Sequence, residues 1–417
     1  MKLIANIKTM RKTQLVSSAL ILSFSLAKQA SAQIGTGQLT GNEVINTITT
    51  AVPLLLITPD ARAAALGDAG GALSPDANSI HWGAAKLAFA EDDAAISLSY
   101  IPWLRNLVPD INLAYLSTYK KLKNGQAIGG SLRYFSLGNI VFTDIVGNVT
   151  GQFNPNEFAV DLAYSRKLTD RWGGGIALRY IFSNLTGGID VQNTQTFPGQ
   201  SVAADISAYY ENDDITVGGN KAKYAFMTAF TNLGAKISYT QTAERNFIPM
   251  NLRIGNSLKI NVDDYNSFTF LLDFNKLLVP TPPVFDPLTG DIVAGMNPDV
   301  SVVQGLFQSF YDAPGVLRDD GTRNVFKEEM REVIICGGVE YSYSDVFMVR
   351  TGYFHENFTK GNRRYFTLGA GIKFNVFKLD LAYLIPTVQR HPLENTLRFT
   401  LAFDFAGFSQ QQQKKKD

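Results

Sequence analysis

The chain is poor in cysteine and histidine, and it has neither long apolar runs nor an excess of one charge. Its one cysteine, Cys336, excludes an internal disulfide framework. That cysteine lies far downstream, so it offers no lipid attachment site near the start of the chain. The three histidines, His81, His355 and His391, show no metal-ligand spacing, and neither a metal nor a cofactor is expected. No uninterrupted apolar run approaches the roughly 20 residues of a spanning helix. There is no G-x-S-x-G elbow, no P-loop and no Cys/His cluster, so nothing points to an enzyme. The acidic pairs Asp213-Asp214 and Asp263-Asp264 are expected at turns, whose geometry aspartate suits, and are assigned no metal.

What the chain does have is aromatics and glycine. It carries 28 Phe, 17 Tyr and 35 Gly, with only 18% charged residues in a length of 417. Aromatics favour strands, and glycine suits tight turns and closely approaching walls, so this is the composition of a β-rich protein. At the start, Lys2, Lys8, Arg11 and Lys12 precede an apolar stretch from Leu15 to Ala27 and the small-x-small triplet Ala30-Ser31-Ala32. We expect a Sec signal peptide over residues 1–32, with the mature chain beginning at Gln33. Its removal takes five of the 38 basic residues and none of the 37 acidic ones, leaving a net charge of about −4. Nucleic acid would find no basic surface, and Lys414-Lys415-Lys416 reads as a solvated tail.

From about residue 94 the sequence alternates with period two. Phe158, Val160, Leu162 and Tyr164 face one way, Ala159, Asp161, Ala163 and Ser165 the other. The last run is the clearest, with Leu397, Phe399, Leu401, Phe403 and Phe405 opposed to Arg398, Thr400, Ala402 and Asp404. Fourteen candidate strands follow, at roughly 94–101, 111–120, 125–136, 157–168, 172–183, 201–211, 224–240, 250–260, 266–275, 331–342, 346–355, 364–374, 377–384 and 396–405. Short polar turns alternate with longer loops, the asymmetry of an outer-membrane barrel with periplasmic turns and external loops. The expected fold is therefore an all-β, antiparallel transmembrane barrel over 94–405. A non-alternating segment, 33–93, would plug or cap it or form a periplasmic arm, and a polar tail, 406–417, would follow.

Charges within the alternating runs would cost a few kcal/mol if they faced lipid, so they are expected to face the lumen. They are balanced in sign: Arg133, Arg179, Arg253, Arg350, Lys373 and Arg398 against Asp161, Asp205, Asp273, Glu340, Asp380 and Asp404. Two readings stay open, mutual neutralisation across a filled lumen and solvation of a water-filled one. Two loops carry apolar residues that suggest partner contact. The first external loop has Trp103, Leu104, Leu107 and Val108, although Trp103 equally suits an interfacial aromatic girdle. The loop 276–330 is far longer than a connection requires, and its apolar set, including Phe307, Phe310 and Tyr311, has roughly helical spacing. Such a helix must pack on the barrel mouth or on a client protein.

Asp60-Ala61-Arg62-Ala63-Ala64-Ala65-Leu66-Gly67-Asp68-Ala69-Gly70, followed by Asn78-Ser79-Ile80-His81-Trp82, resembles the N-terminal signature of the PorV family of the type IX secretion system. Asn275 to Pro282, Gly338-Val339-Glu340-Tyr341, Arg350-Thr351-Gly352-Tyr353 and Gly361 to Gly369 resemble its later motifs, in order over about 58–405. Trp82-Gly83-Ala84-Ala85 departs from the Trp-Asn-Pro-Ala frequent among relatives. The resemblance implies a barrel related to the FadL type, with an N-terminal segment inside it. It also implies a shuttle role in Bacteroidetes-type protein export. Partners would be the outer membrane, the large translocon barrel, secreted cargo bearing a C-terminal signal domain, and a sortase-like attachment complex. The competing functions are a channel for fatty acids or other hydrophobic compounds, and a general porin.

Overall fold

The computed structural model describes residues 45–405, apart from 105–107, 109, 144–145, 189, 192–193, 242–244, 389–391 and 395. The expected signal peptide, the tail 406–417, Leu107 and His391 lie outside the described residues. Fourteen antiparallel strands form one closed barrel, the fold that the alternation implied. They are β1 (Ala94–Pro102), β2 (Ile111–Leu122), β3 (Gln126–Leu137), β4 (Asn156–Lys167), β5 (Trp172–Asn184), β6 (Gly199–Val217) and β7 (Asn220–Gly234). The second half comprises β8 (Asn251–Asn261), β9 (Asn266–Leu277), β10 (Ile334–Tyr343), β11 (Phe347–His355), β12 (Arg364–Phe374), β13 (Phe377–Pro386) and β14 (Leu397–Asp404). Each strand pairs with its sequence neighbours, and β1 closes on β14 with Ala95 opposite Asp404 and Tyr100 opposite Phe399. Among the described residues no helix is long and apolar enough to cross a membrane. The chain crosses with strands, which in a closed barrel leave no backbone edge unpaired.

Side-chain alternation divides the wall as the physics of lipid requires. Leu98, Leu116, Leu132, Leu162, Leu178, Ile206, Leu272, Val349, Leu368, Leu381 and Leu401 point outward and are exposed. The intervening residues point inward and are buried, among them Ser97, Ser117, Ser131, Asp161, Ser207, Ser257, Asp273 and Thr400.

Two expectations at the short turns and strand ends need correction. The strand expected over 224–240 ends at Gly234, because Asn232 takes a left-handed backbone (φ 59°) and the chain turns away from the wall. Asp213 and Asp214 lie inside β6 at a register shift between Asn212 and Ile215, not at a turn. The turn falls later, at Gly218-Gly219, where both residues have positive φ. Asp263 does sit in a turn, its carboxylate accepting from the amides of Tyr265 (2.9 Å) and Asn266 (2.8 Å).

The lumen is filled by the chain before β1. This segment holds two single-turn helices, α1 (Ala61–Ala64) and α2 (Ser79–Trp82), and short 3-10 turns at Pro53–Leu56 and Ala84–Phe89. It begins at the end of the long loops, where Ala51 N donates to Phe247 O at 2.9 Å. It finishes at the short-turn end, where β1 starts with Ala94 opposite Lys120. Short turns mark the periplasmic end of such barrels.

Candidate functional site

Irregular backbone at membrane depth survives only if the wall satisfies its polar groups. Here inward-facing hydroxyls do so. Thr400 Oγ1 accepts from Ala61 N (2.8 Å), and Thr367 Oγ1 accepts from Gly67 N (2.9 Å) while donating to Ala65 O (2.9 Å). Ser257 Oγ donates to Ala72 O, and the hydroxyls of Ser207 and Ser165 accept from the amides of Ala85 and Ala88. Glycines let the plug touch the wall. A Cβ at Gly352 would stand 2.1 Å from Leu66 C, and one at Gly338 would stand 2.6 Å from Leu66 O. The glycines of two of the later motifs thus seat one turn of the N-terminal signature.

The inward charges form separate units. Arg179 bridges Asp161 (2.6 Å) and Asp205 (3.0 Å) and also binds Asn232. Arg350 bridges Glu340 (2.6 Å) and Asp380 (2.7 Å), and Arg62 of α1 joins Glu340 at 3.2 Å. Arg398 reaches Asp68 at 3.1 Å and Thr58 O at 3.2 Å. Balanced charge is not wholly mutual neutralisation, however. Arg133 donates to Leu54 O, Leu55 O and His81 Nδ1. Arg253 donates to His81 O and Trp82 O, and Asp273 accepts from Gly71 N at 2.6 Å. These three clamp the plug rather than each other. Lys373 and Asp404 pair at 3.6 Å beside a cavity of about 340 Å³ at the short-turn end, lined also by Lys378 of the wall and Asp76 of the plug. Among the described residues no group of His, Cys, Asp and Glu could hold a metal.

At the outer end, Trp103 and Leu104 turn inward. Trp103 packs on the apolar clusters around Val52 and Leu66, with the Arg398 guanidinium 5.6 Å from its ring. Both residues are half-buried over the outer end of the plug. Val108 is exposed at 37%.

The long loop carries α3 (Val302–Gln308) and α4 (Val325–Arg331). Ser301 caps α3 by accepting from Gln304 N, and Gly305 lets the helix approach Phe247 and Pro280 closely. Val302 and Leu306, one turn apart, pack on Met250, Leu278 and Val279. The opposite face is open, with Val303 67% and Phe307 63% exposed, and Phe310 (44%) and Tyr311 (58%) are exposed in the turn that follows. One face of the helix thus packs on the barrel lip and the other faces solvent.

Beneath this platform lies a buried ionic knot. Lys276 Nζ donates to Glu329 (2.9 Å) and Glu332 (2.7 Å), and Lys360 Nζ to Glu328 (2.7 Å) and Glu332 (2.9 Å). Burial would raise Glu332, but the two lysines hold it below its ordinary value. Asp312 accepts from Thr281 N at 3.1 Å, and burial, then Glu329 and Glu332, push its carboxyl up to about 6. Sequence reading missed this knot because its members come from a strand end, α4 and another loop, with no local pattern.

Similar folds are found among solved structures. They include the P. putida toluene transporter TodX (11% identity, 83% of this chain and 98% of that one, TM-score 0.45). Others are the Ralstonia pickettii toluene transporter TbuX (10%, 82% and 97%, 0.42) and a Pseudomonas aeruginosa FadL homologue (12%, 86% and 99%, 0.40). No curated protein matches the chain. The family described as type IX secretion system protein PorV matches residues 40–284, more than half of the chain. Its span takes in the plug, the first nine strands and the wall glycines that face Ala84-Ala85, and the chain belongs to this PorV family of type IX secretion proteins.

Proposed function

We propose that this protein is a non-conducting shuttle of the type IX secretion system. After export through a cleaved signal peptide, it binds the C-terminal signal domain of secreted cargo at its external loops. It docks on the large translocon barrel and passes cargo to the sortase-like attachment complex. The observation that carries this reading is a contrast between the two parts of the molecule. The lumen is tied off by the chain itself, while the apolar face of α3 stays open on a platform fixed to the barrel lip. Contiguous exposed apolar groups on a loop are a mark of protein contact. A channel for hydrophobic compounds gains no support from the outer half of the lumen, where Val52, Leu54 and Leu55 occupy the apolar space beside Ile101, Leu113 and Ile181.

The test is affinity purification of tagged protein from mild detergent, native against Phe307→Asp/Phe310→Asp. The native protein should retain a very large barrel protein or secreted proteins that share a C-terminal domain. The variant should lose them several-fold while still migrating as a folded barrel before heating. Equal recovery would overturn the assignment of this face.

A further inference from the structure

The first described residues lie among the long loops, not at the periplasmic end. Asn46 N donates to Thr359 O at 2.8 Å, and its side-chain amide donates to Pro282 O at 3.0 Å and Glu328 Oε1 at 3.2 Å. Ile48 packs in the cluster of Met250, Leu278 and Val279 that also receives Val302 and Leu306 of α3. Ala51 N then donates to Phe247 O. Over a few residues the chain therefore binds three separate loops, those holding Phe247, Pro282 and Thr359. Glu328, which Asn46 touches, is itself bound by Lys360 in the buried ionic knot. From Ile57 onward the chain descends through the lumen and leaves it at the opposite end, where β1 begins.

We infer that the chain enters its own barrel from the cell-surface side, and that residues 45–51 form a surface latch that fixes the outer loops to one another. Extended segments have their full complement of unpaired amides and carbonyls, so an arm lying across loop backbones adds a further tie between loops that the ionic knot and α3 already bring together. The latch lies under α3, so it governs whether the platform is rigid. It also makes the start of the plug accessible from outside, which a barrel plugged from the periplasmic side would not allow. This inference concerns topology and loop order and does not depend on what binds the platform.

The chain suits a direct test because its one cysteine, Cys336, is buried. Ile45 is 65% exposed, so replacing it removes little packing. In Ile45→Cys, a membrane-impermeant maleimide should label intact cells as fully as denatured protein, while the native protein stays unlabelled until denatured. Little or no labelling of intact cells, with full labelling of denatured protein, would overturn the external entry. For the latch, Asn46→Ala/Ile48→Asp should speed trypsin cutting at Arg318 and Arg323 several-fold in a barrel that still resists heating in detergent. An unchanged cutting rate in that folded variant would overturn the latch.

Discussion

The indole of Trp82 donates to Asp60 Oδ2 at 2.9 Å while Asp60 Oδ1 accepts from Ala63 N at 2.8 Å. One carboxylate thus caps α1 and anchors α2, joining the two halves of the N-terminal signature across 22 positions. Gly70 must be glycine for this geometry, since a Cβ there would stand 2.2 Å from the Trp82 ring. Asp60→Ala removes the cap, at about 1 kcal/mol, and leaves a buried indole N–H unpaired, at about 1–3 kcal/mol. Trp82→Phe leaves the cap intact and should cost less. Thermal unfolding in detergent should order the proteins native, Trp82→Phe, Asp60→Ala, from most to least stable.

The glycine seat makes a sharper prediction, because β10 supplies its own control. Gly338 faces Leu66 and Gly337 faces outward, where the nearest atom to an added Cβ is Leu271 O at 3.8 Å. Gly338→Ala and Gly352→Ala should block assembly or expel the plug, whereas Gly337→Ala should fold normally. Outer-membrane levels and heat-dependent gel migration distinguish these outcomes.

The Glu340–Arg350–Asp380 unit is buried throughout. Removing only the arginine takes the closest cation from both carboxylates and leaves Asp380 with Lys378 alone, at 3.5 Å, so Arg350→Met should cost up to about 3–5 kcal/mol. Adding Asp380→Asn to that variant should restore much of the loss, because Arg62 still pairs with Glu340. Barrel stability in detergent, native against single and double variants, checks the order.

Much of this architecture could be read in the sequence. Period two marks every barrel strand because lipid on one side and a packed lumen on the other impose opposite chemistry on successive residues. The end of β7 was misplaced because Asn232 breaks the strand for a tertiary reason, its amide N donating to Asp205 at 2.6 Å. The plug helices are single turns, too short to show a helical period, and only their motif residues drew notice. The packing of Trp103 against Leu66 and Arg398 joins residues far apart in sequence and has no local signal. The charges were legible as inward-facing. Which of them clamp plug carbonyls was not, since carbonyl partners carry no sequence signal.

The outer knot should respond to pH. Asp312, raised to about 6, binds a proton in the folded loop at a pH where the unfolded loop would not. Its contribution to loop stability is therefore present at low pH and lost as pH rises through about 6. Glu332 has the opposite sign, and being held below its ordinary value it keeps its lysine pairs across this window. Asp312→Asn should slow trypsin cutting of the loop relative to the native protein at about pH 7.5, with the two rates converging near pH 5.5.

The central claim is that α3 is where this PorV-family protein meets the secretion machinery. A photo-crosslinking amino acid at Phe307, activated in living cells, tests it most directly. The account predicts covalent adducts with a very large barrel protein or with secreted proteins that share a C-terminal domain. Absence of adducts from Phe307, with fatty acid retained inside the purified barrel, would contradict it.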